Sequence, residues 1–125
     1  MKLTVTRKKS FLSCTVPYYI VFSDIPKDEF MTEYGLCGDL CKHNPMGQAI
    51  SRIDIDTLNR IGMVLLNGRT VSVDLTDDVV SVFVITMTGS ISNEIKINDL
   101  DSSQLIILTK GGWSTVSYPY IERQV

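Results

Sequence analysis

One histidine, one tryptophan, three cysteines and four prolines in 125 residues limit the chemistry before any motif is sought. Nucleophilic catalysis of the Ser-His-Asp or Cys-His kind needs an imidazole base, and every such scheme here must pass through His43. No G-x-S-x-G elbow is present, and neither a G-x-G-x-x-G nor a G-x-x-x-x-G-K phosphate loop. No stretch approaches the roughly 20 apolar residues that cross a bilayer. The basic start, Lys2 to Lys9, leads into no apolar run, because Phe11-Leu12-Ser13-Cys14 is soon broken by Thr15 and Pro17. A cytoplasmic protein with reduced thiols is therefore expected, and no membrane insertion. A positive excess is missing too: 12 Lys+Arg stand against 14 Asp+Glu, net −2, which argues against a nucleic-acid partner. With 44% hydrophobic and 21% charged residues, the chain reads as one ordered domain over residues 1–125.

Short alternating runs dominate what is present. Leu3 and Val5 alternate with Lys2, Thr4 and Thr6, and Thr15–Ser23 follows after a basic turn, Arg7-Lys8-Lys9. Ser51–Asp56 alternates as well, with Ile53 and Ile55 against Arg52, Asp54 and Asp56. Ile61–Leu66 runs into Asn67-Gly68, a pair suited to the type I′ turn of a hairpin. Val71, Val73 and Leu75 then point one way and Thr70, Ser72 and Asp74 the other, as in a half-buried strand. Val79–Thr88 is apolar on both faces, with Val79, Phe83, Ile85 and Met87 opposite Val80, Val82 and Val84. Such a strand must be covered twice. Asn93–Ile97, Gln104–Thr109 and Trp113–Ile121 complete the set, and Pro119 assigns the last strand to a sheet edge.

The expectation is an all-β fold: a single antiparallel β-sandwich of about eight strands. One insertion, about residues 24–48, breaks the rhythm. There Asp24 should cap a helix of about Pro26 to Tyr34, followed by a polar loop that is a candidate functional or partner contact. The expected core is Val71, Val73, Leu75, Val82, Phe83, Val84, Ile85, Ile95, Ile97, Leu105 and Ile107. Each such side chain, fully buried, contributes about 1.5–3 kcal/mol before entropy.

Arg52-Ile53-Asp54-Ile55-Asp56, Ile61-Gly62, Asn67-Gly68, Val71-Ser72-Val73-Asp74-Leu75 and Ser92-Asn93-Glu94-Ile95-Lys96-Ile97 occur in one order over residues 52–111. That order resembles small bacterial PEGA-like and immunoglobulin-like β-sandwich modules. The resemblance implies a fold and no active site, and the insertion has no counterpart in it.

Three constellations carry candidate chemistry. Cys37, Cys41 and His43 form a C-x₃-C-x-H cluster of ligands suited to zinc, with Asp39 or Cys14 available as a fourth; a Cys37–Cys41 disulfide and plain buried thiols are the competing readings. Trp113, Tyr118 and Tyr120, with Tyr18 and Tyr19, suit a partner-binding or carbohydrate-binding face, against ordinary packing. Asp54/Asp56 share a strand face about 7 Å apart but read as solvated, Asp77-Asp78 reads as a turn, and Asp99-x-Asp101-x-Ser103 lacks the Gly and Glu of a calcium loop. Lys8 and Lys9 with Arg7 read as a wet turn, or as a contact for an acidic partner or phosphate. No catalytic set emerges and no cofactor is expected. The function expected is a non-catalytic interaction or structural module, binding a protein partner or forming a homo-oligomer through sheet edges. Metal or redox work at Cys37, Cys41 and His43 and ligand binding on the aromatic face are the alternatives.

Overall fold

The computed structural model describes residues 2–10, 16–33, 55–86, 91–97, 104–110 and 118–123. These form a mainly β structure: two four-stranded sheets with two seven-residue helices. In chain order they are β1 (Lys2–Arg7), β2 (Tyr18–Ser23), α1 (Lys27–Glu33), α2 (Ile55–Ile61), β3 (Met63–Leu65), β4 (Thr70–Asp74), β5 (Ser81–Thr86), β6 (Ile95–Lys96), β7 (Gln104–Lys110) and β8 (Tyr118–Arg123). The first sheet has the order β4-β1-β7-β8 and the second β3-β2-β5-β6. All pairings are antiparallel except β1 with β7, which is parallel. The all-antiparallel expectation fails there because the chain leaves the first sheet after β4 and returns on the other side of β1, as β7, only after β5 and β6 have completed the second sheet. A parallel pair needs such a crossover.

Alternation fixes which face each strand buries. Leu3 and Val5 of β1, Leu105 and Ile107 of β7 and Ile121 of β8 meet Tyr18, Ile20, Leu65, Val82, Val84 and Ile95 of the second sheet in one buried cluster. Val71 and Val73 pack on it from β4, as expected, while Thr70 and Ser72 turn outward and join their hydroxyls to Thr6 and Thr4 at 3.1 and 3.0 Å. All eleven expected core residues belong to this cluster or to a second one on the far face of the second sheet.

That far face carries Tyr19, Val21, Phe83, Ile85 and Ile91 under Phe30 and Met31 of α1 and Leu58 of α2. Every residue of β5 is buried, as its double apolar pattern requires. Val79 departs from the expected face. It precedes the strand, its N–H closes a turn onto the Thr76 carbonyl, and its side chain packs toward the first sheet while Val80 is exposed.

Two local readings are corrected. Ile55 and Asp56 lie in α2 and not in a strand, so Asp54 and Asp56 share no strand face; residues 51–54 fall outside the described set. Leu58 and Ile61, three apart, land on one helical face that covers the second sheet, and Asp56 and Arg60 suit the helix's positive and negative ends. Gly62 then lets α2 lie against β2, because a Cβ there would stand 3.1 Å from the Ile20 carbonyl oxygen and 3.2 Å from the Tyr19 Cβ. Helix α1 matches the expected helix closely, but its first N–H, that of Lys27, donates to Glu94 Oε2 at 2.7 Å. Asp24 is exposed, and a distant carboxylate takes the role assigned to it.

The Asn67-Gly68 turn is likewise no hairpin: β3 belongs to the second sheet and β4 to the first. Of its two central residues only Gly68 has positive φ (75°), and Arg69 N–H donates to the Leu66 carbonyl at 3.1 Å. This is the φ pattern of a type II turn, whose geometry splays the flanking strands where a type I′ turn would keep them paired.

Truncating Ile107 to Ala should lower the unfolding free energy by about 2–5 kcal/mol, whereas Asp74→Ala on the wet face of β4 should stay within about 0.5 kcal/mol. Denaturant titration measures both, and equal effects would contradict the placement of the core.

Candidate functional site

Two four-stranded sheets have four outer strands, β4 and β8 in the first and β3 and β6 in the second. An outer strand exposes backbone donors and acceptors that can pair with another chain, and proteins usually blunt them. On β4 the exposed side chains are Thr70, Ser72 and Asp74. β6 is two residues long and exposes Lys96. On β8 the Ile121 N–H donates to Asn93 Oδ1 at 2.8 Å and the Asn93 amide donates back to the Ile121 carbonyl at 2.9 Å. Both backbone groups of Ile121 therefore face away from β7 and are already satisfied. Pro119, two residues earlier, has the same orientation, so its missing N–H costs the β7 ladder nothing.

β3 is different. Val64 is 46% exposed and Met63 38%, and Leu66 just beyond the strand is 55% exposed. Only Leu65 turns into the core, opposite Tyr18. Among the described residues β3 pairs with β2 alone, so an apolar outer strand stands beside a central pair that is buried on both faces. The sequence signal was the run Met63-Val64-Leu65-Leu66: a half-covered edge strand cannot bury four consecutive apolar side chains.

At the same end of the molecule the core closes on a cation. Arg7 continues the inward register of Leu3 and Val5 and is 1% exposed, so it is not part of a wet turn; Lys8 and Lys9 are. Its guanidinium carbon lies 3.7 Å from the Tyr18 ring centroid, and Nη1 donates to the Leu65 carbonyl at 2.8 Å. The Tyr18 hydroxyl in turn shares a 2.6 Å hydrogen bond with the Thr109 hydroxyl. Stacking and charge-assisted bonding are what offset the desolvation of a buried guanidinium. This joins β1, β2, β3 and β7 at one point.

Three recesses are formed by described residues. A cleft of about 440 Å³ is bordered by Pro26, Val79, Val80, Ile97, Glu94 and Lys96, and its Glu94 is engaged at the start of α1. A small one of about 150 Å³ lies beside Phe30 and Ile61. A third, of about 280 Å³, is lined by Lys8, Lys9, Ser10, Leu108, Thr109 and Lys110.

Of the site residues expected from sequence, Cys37, Cys41 and His43 lie outside the described residues, as do Cys14, Asp39 and Trp113. Among the described residues no three His, Cys, Asp or Glu side chains gather as a metal would require. Tyr118 starts β8 opposite Lys110. Tyr120 is half-buried on the outward face of β8, with the Lys110 ammonium 4.1 Å from its ring centroid. Asn93, Glu94 and Arg7, which do most of the polar positioning, were not singled out for it, because each acts on an element remote in sequence. No helix among the described residues is long and apolar enough to cross a membrane. Compared with known proteins, the chain matches no family model, no curated protein and no solved structure.

Arg7→Ala should cost about 2–4 kcal/mol of stability, the sum expected for a desolvated cation–π contact and a charged hydrogen bond. Arg7→Lys should recover only part of this, since an ammonium cannot stack flat and donate sideways at once. Thermal unfolding of both variants checks this, and a lysine variant as stable as wild type would contradict it.

Proposed function

We propose that the two sheets form one β-sandwich-like domain and that it serves as a non-catalytic interaction module, adding a strand from a protein partner or from a second copy of itself to the open edge at β3. What supports the sandwich reading is the shared cluster that draws on both sheets, together with the resemblance of residues 52–111 to small immunoglobulin-like modules. The observation that carries the functional reading is the contrast between edges. Three carry polar side chains, extreme shortness or a side-chain amide seated on the backbone, and the fourth presents Met63, Val64 and Leu66 to solvent.

Strand addition suits this edge on energetic grounds. The backbone supplies hydrogen bonds without sequence demands, and exposed alternate side chains supply selectivity. Burying Val64 and Leu66 against a partner would contribute about 25 cal/mol per Å² of apolar surface covered. Because β2 and β5 behind β3 are held from both sides, the edge is presented by a rigid backing, which limits the ordering entropy lost on association.

Light scattering over a wide concentration range, with affinity capture alongside, tests the proposal. Wild-type protein should form a concentration-dependent dimer or retain a specific protein. Val64→Lys, which places a charge on the edge without touching the core, should abolish either. A wild-type chain that stays monomeric and retains nothing the variant does not would contradict it.

A further inference from the structure

The recess of about 280 Å³ at the end of the first sheet has an unusual lining for a chain of net charge −2: Lys8, Lys9 and Lys110 around Ser10, Leu108 and Thr109. The topology brings them together. β1 and β7 run parallel, so the residues that follow or end both strands emerge at the same place, and the Lys8 N–H donates to the Ile107 carbonyl at 2.9 Å. Arg69 belongs to the same end, since its carbonyl accepts the Arg7 N–H at 2.8 Å. Three lysines thus collect at one corner, above the buried Arg7 and beside the Arg69 backbone.

Most of the described acidic residues lie elsewhere. Lys8 to Phe22, Arg60 to Val73 and Gln104 to Ile121, the three stretches whose described parts meet at this corner, contain no Asp or Glu. Asp74, Asp77, Asp78 and Glu94 belong to the opposite ends of β4, β5 and β6 or to the turns beside them. Near the recess, Glu122 lies 4.0 Å from the Lys110 ammonium, at the limit of an ion pair and with both side chains over 40% exposed. Such a pair contributes little. Like charges gathered on one recess raise the local positive potential, which a bound anion would neutralise.

The walls are fixed before any ligand arrives. Asn67 Oδ1 accepts the Ser10 N–H at 3.0 Å, Thr109 is bonded to the buried Tyr18, and Lys110 is steered over the Tyr120 ring. The geometry points to this recess as a binding site for a phosphate-type oxyanion, free or as a small phosphomonoester. A carboxylate brings one charge and would leave two of the three lysine charges uncompensated, where a phosphate leaves about one. A phosphate brings nearly two charges and three acceptor oxygens, one toward each lysine. The lysines line a small recess and the rest of the molecule is acidic, which favours a compact anion over an extended polyanion.

Calorimetric titration with inorganic phosphate at low ionic strength tests the site. Wild-type protein should bind saturably, more weakly as salt is added. The Lys8→Ala/Lys110→Ala variant should lose about tenfold or more in affinity, as expected when charge-assisted contacts are removed. Lys2→Ala/Lys96→Ala, which removes two exposed lysines remote from this corner, should bind as wild type does. All three proteins should unfold at similar temperatures. Absence of binding, or equal weakening in both double variants, would overturn the site. Binding to phosphatidylserine vesicles or single-stranded DNA without binding to inorganic phosphate would overturn it too, in favour of a diffuse basic surface. None of these results depends on whether β3 recruits a partner.

Discussion

Burial of one strand on both of its faces is the constraint from which the rest of the molecule follows. β5 has no side chain that water satisfies, so Val82 and Val84 demand a second sheet on one side and Phe83 and Ile85 demand cover on the other. The first requirement is met by β1, β7 and β8, the second by α1 and α2. Phe30 meets Phe83 edge to face, with ring centroids 5.1 Å apart. Helices too short to persist alone are stable here because their apolar faces are consumed by the sheet, with Glu94 supplying an acceptor to the start of α1.

The same constraint sorts the periphery. Connections that switch between sheets place strand ends, not strand middles, at the surface, and the polar residues gather there. One end closes with Arg7, Tyr18 and Thr109 inside and lysines outside. The other carries the acidic turn at Asp77 and Asp78, where the Thr76 hydroxyl donates to the Asp78 carboxylate. Asn93 pins the second sheet's β6 side to the backbone of β8. With β8 tied down and β4 and β6 polar, β3 is the outer strand whose described side chains leave the most apolar surface exposed.

Alternation carried much of this in the sequence. The inward faces of β1, β4 and β7 and the two-sided burial of β5 are direct consequences of period two, and Pro119 marked an outer strand correctly. Interactions remote in sequence were not legible. Leu58 and Ile61 satisfy a helical spacing as well as Ile53 and Ile55 satisfy a period of two, and the apolar face of Tyr19 and Val21 that they cover decides for helix. Asn67-Gly68 suits several turns; the choice rests on which sheet each flanking strand joins. Lys8 and Lys9 look like an ordinary basic turn until the parallel pairing of β1 with β7 brings Lys110 beside them. Arg7 had the parity of a core residue and the charge of a surface one, and parity prevailed because Tyr18 and the Leu65 carbonyl were there to receive it.

Amide hydrogen exchange resolved by residue tests the central constraint most directly. Doubly covered backbone opens only with global unfolding. Amides of Val82 to Ile85 and their β2 partners should exchange last, at the rate set by global stability, while the outer strands exchange earlier through local opening. Exchange in β5 as fast as in β4 or β3 would contradict the account, because it would mean that one face of β5 is not covered in solution.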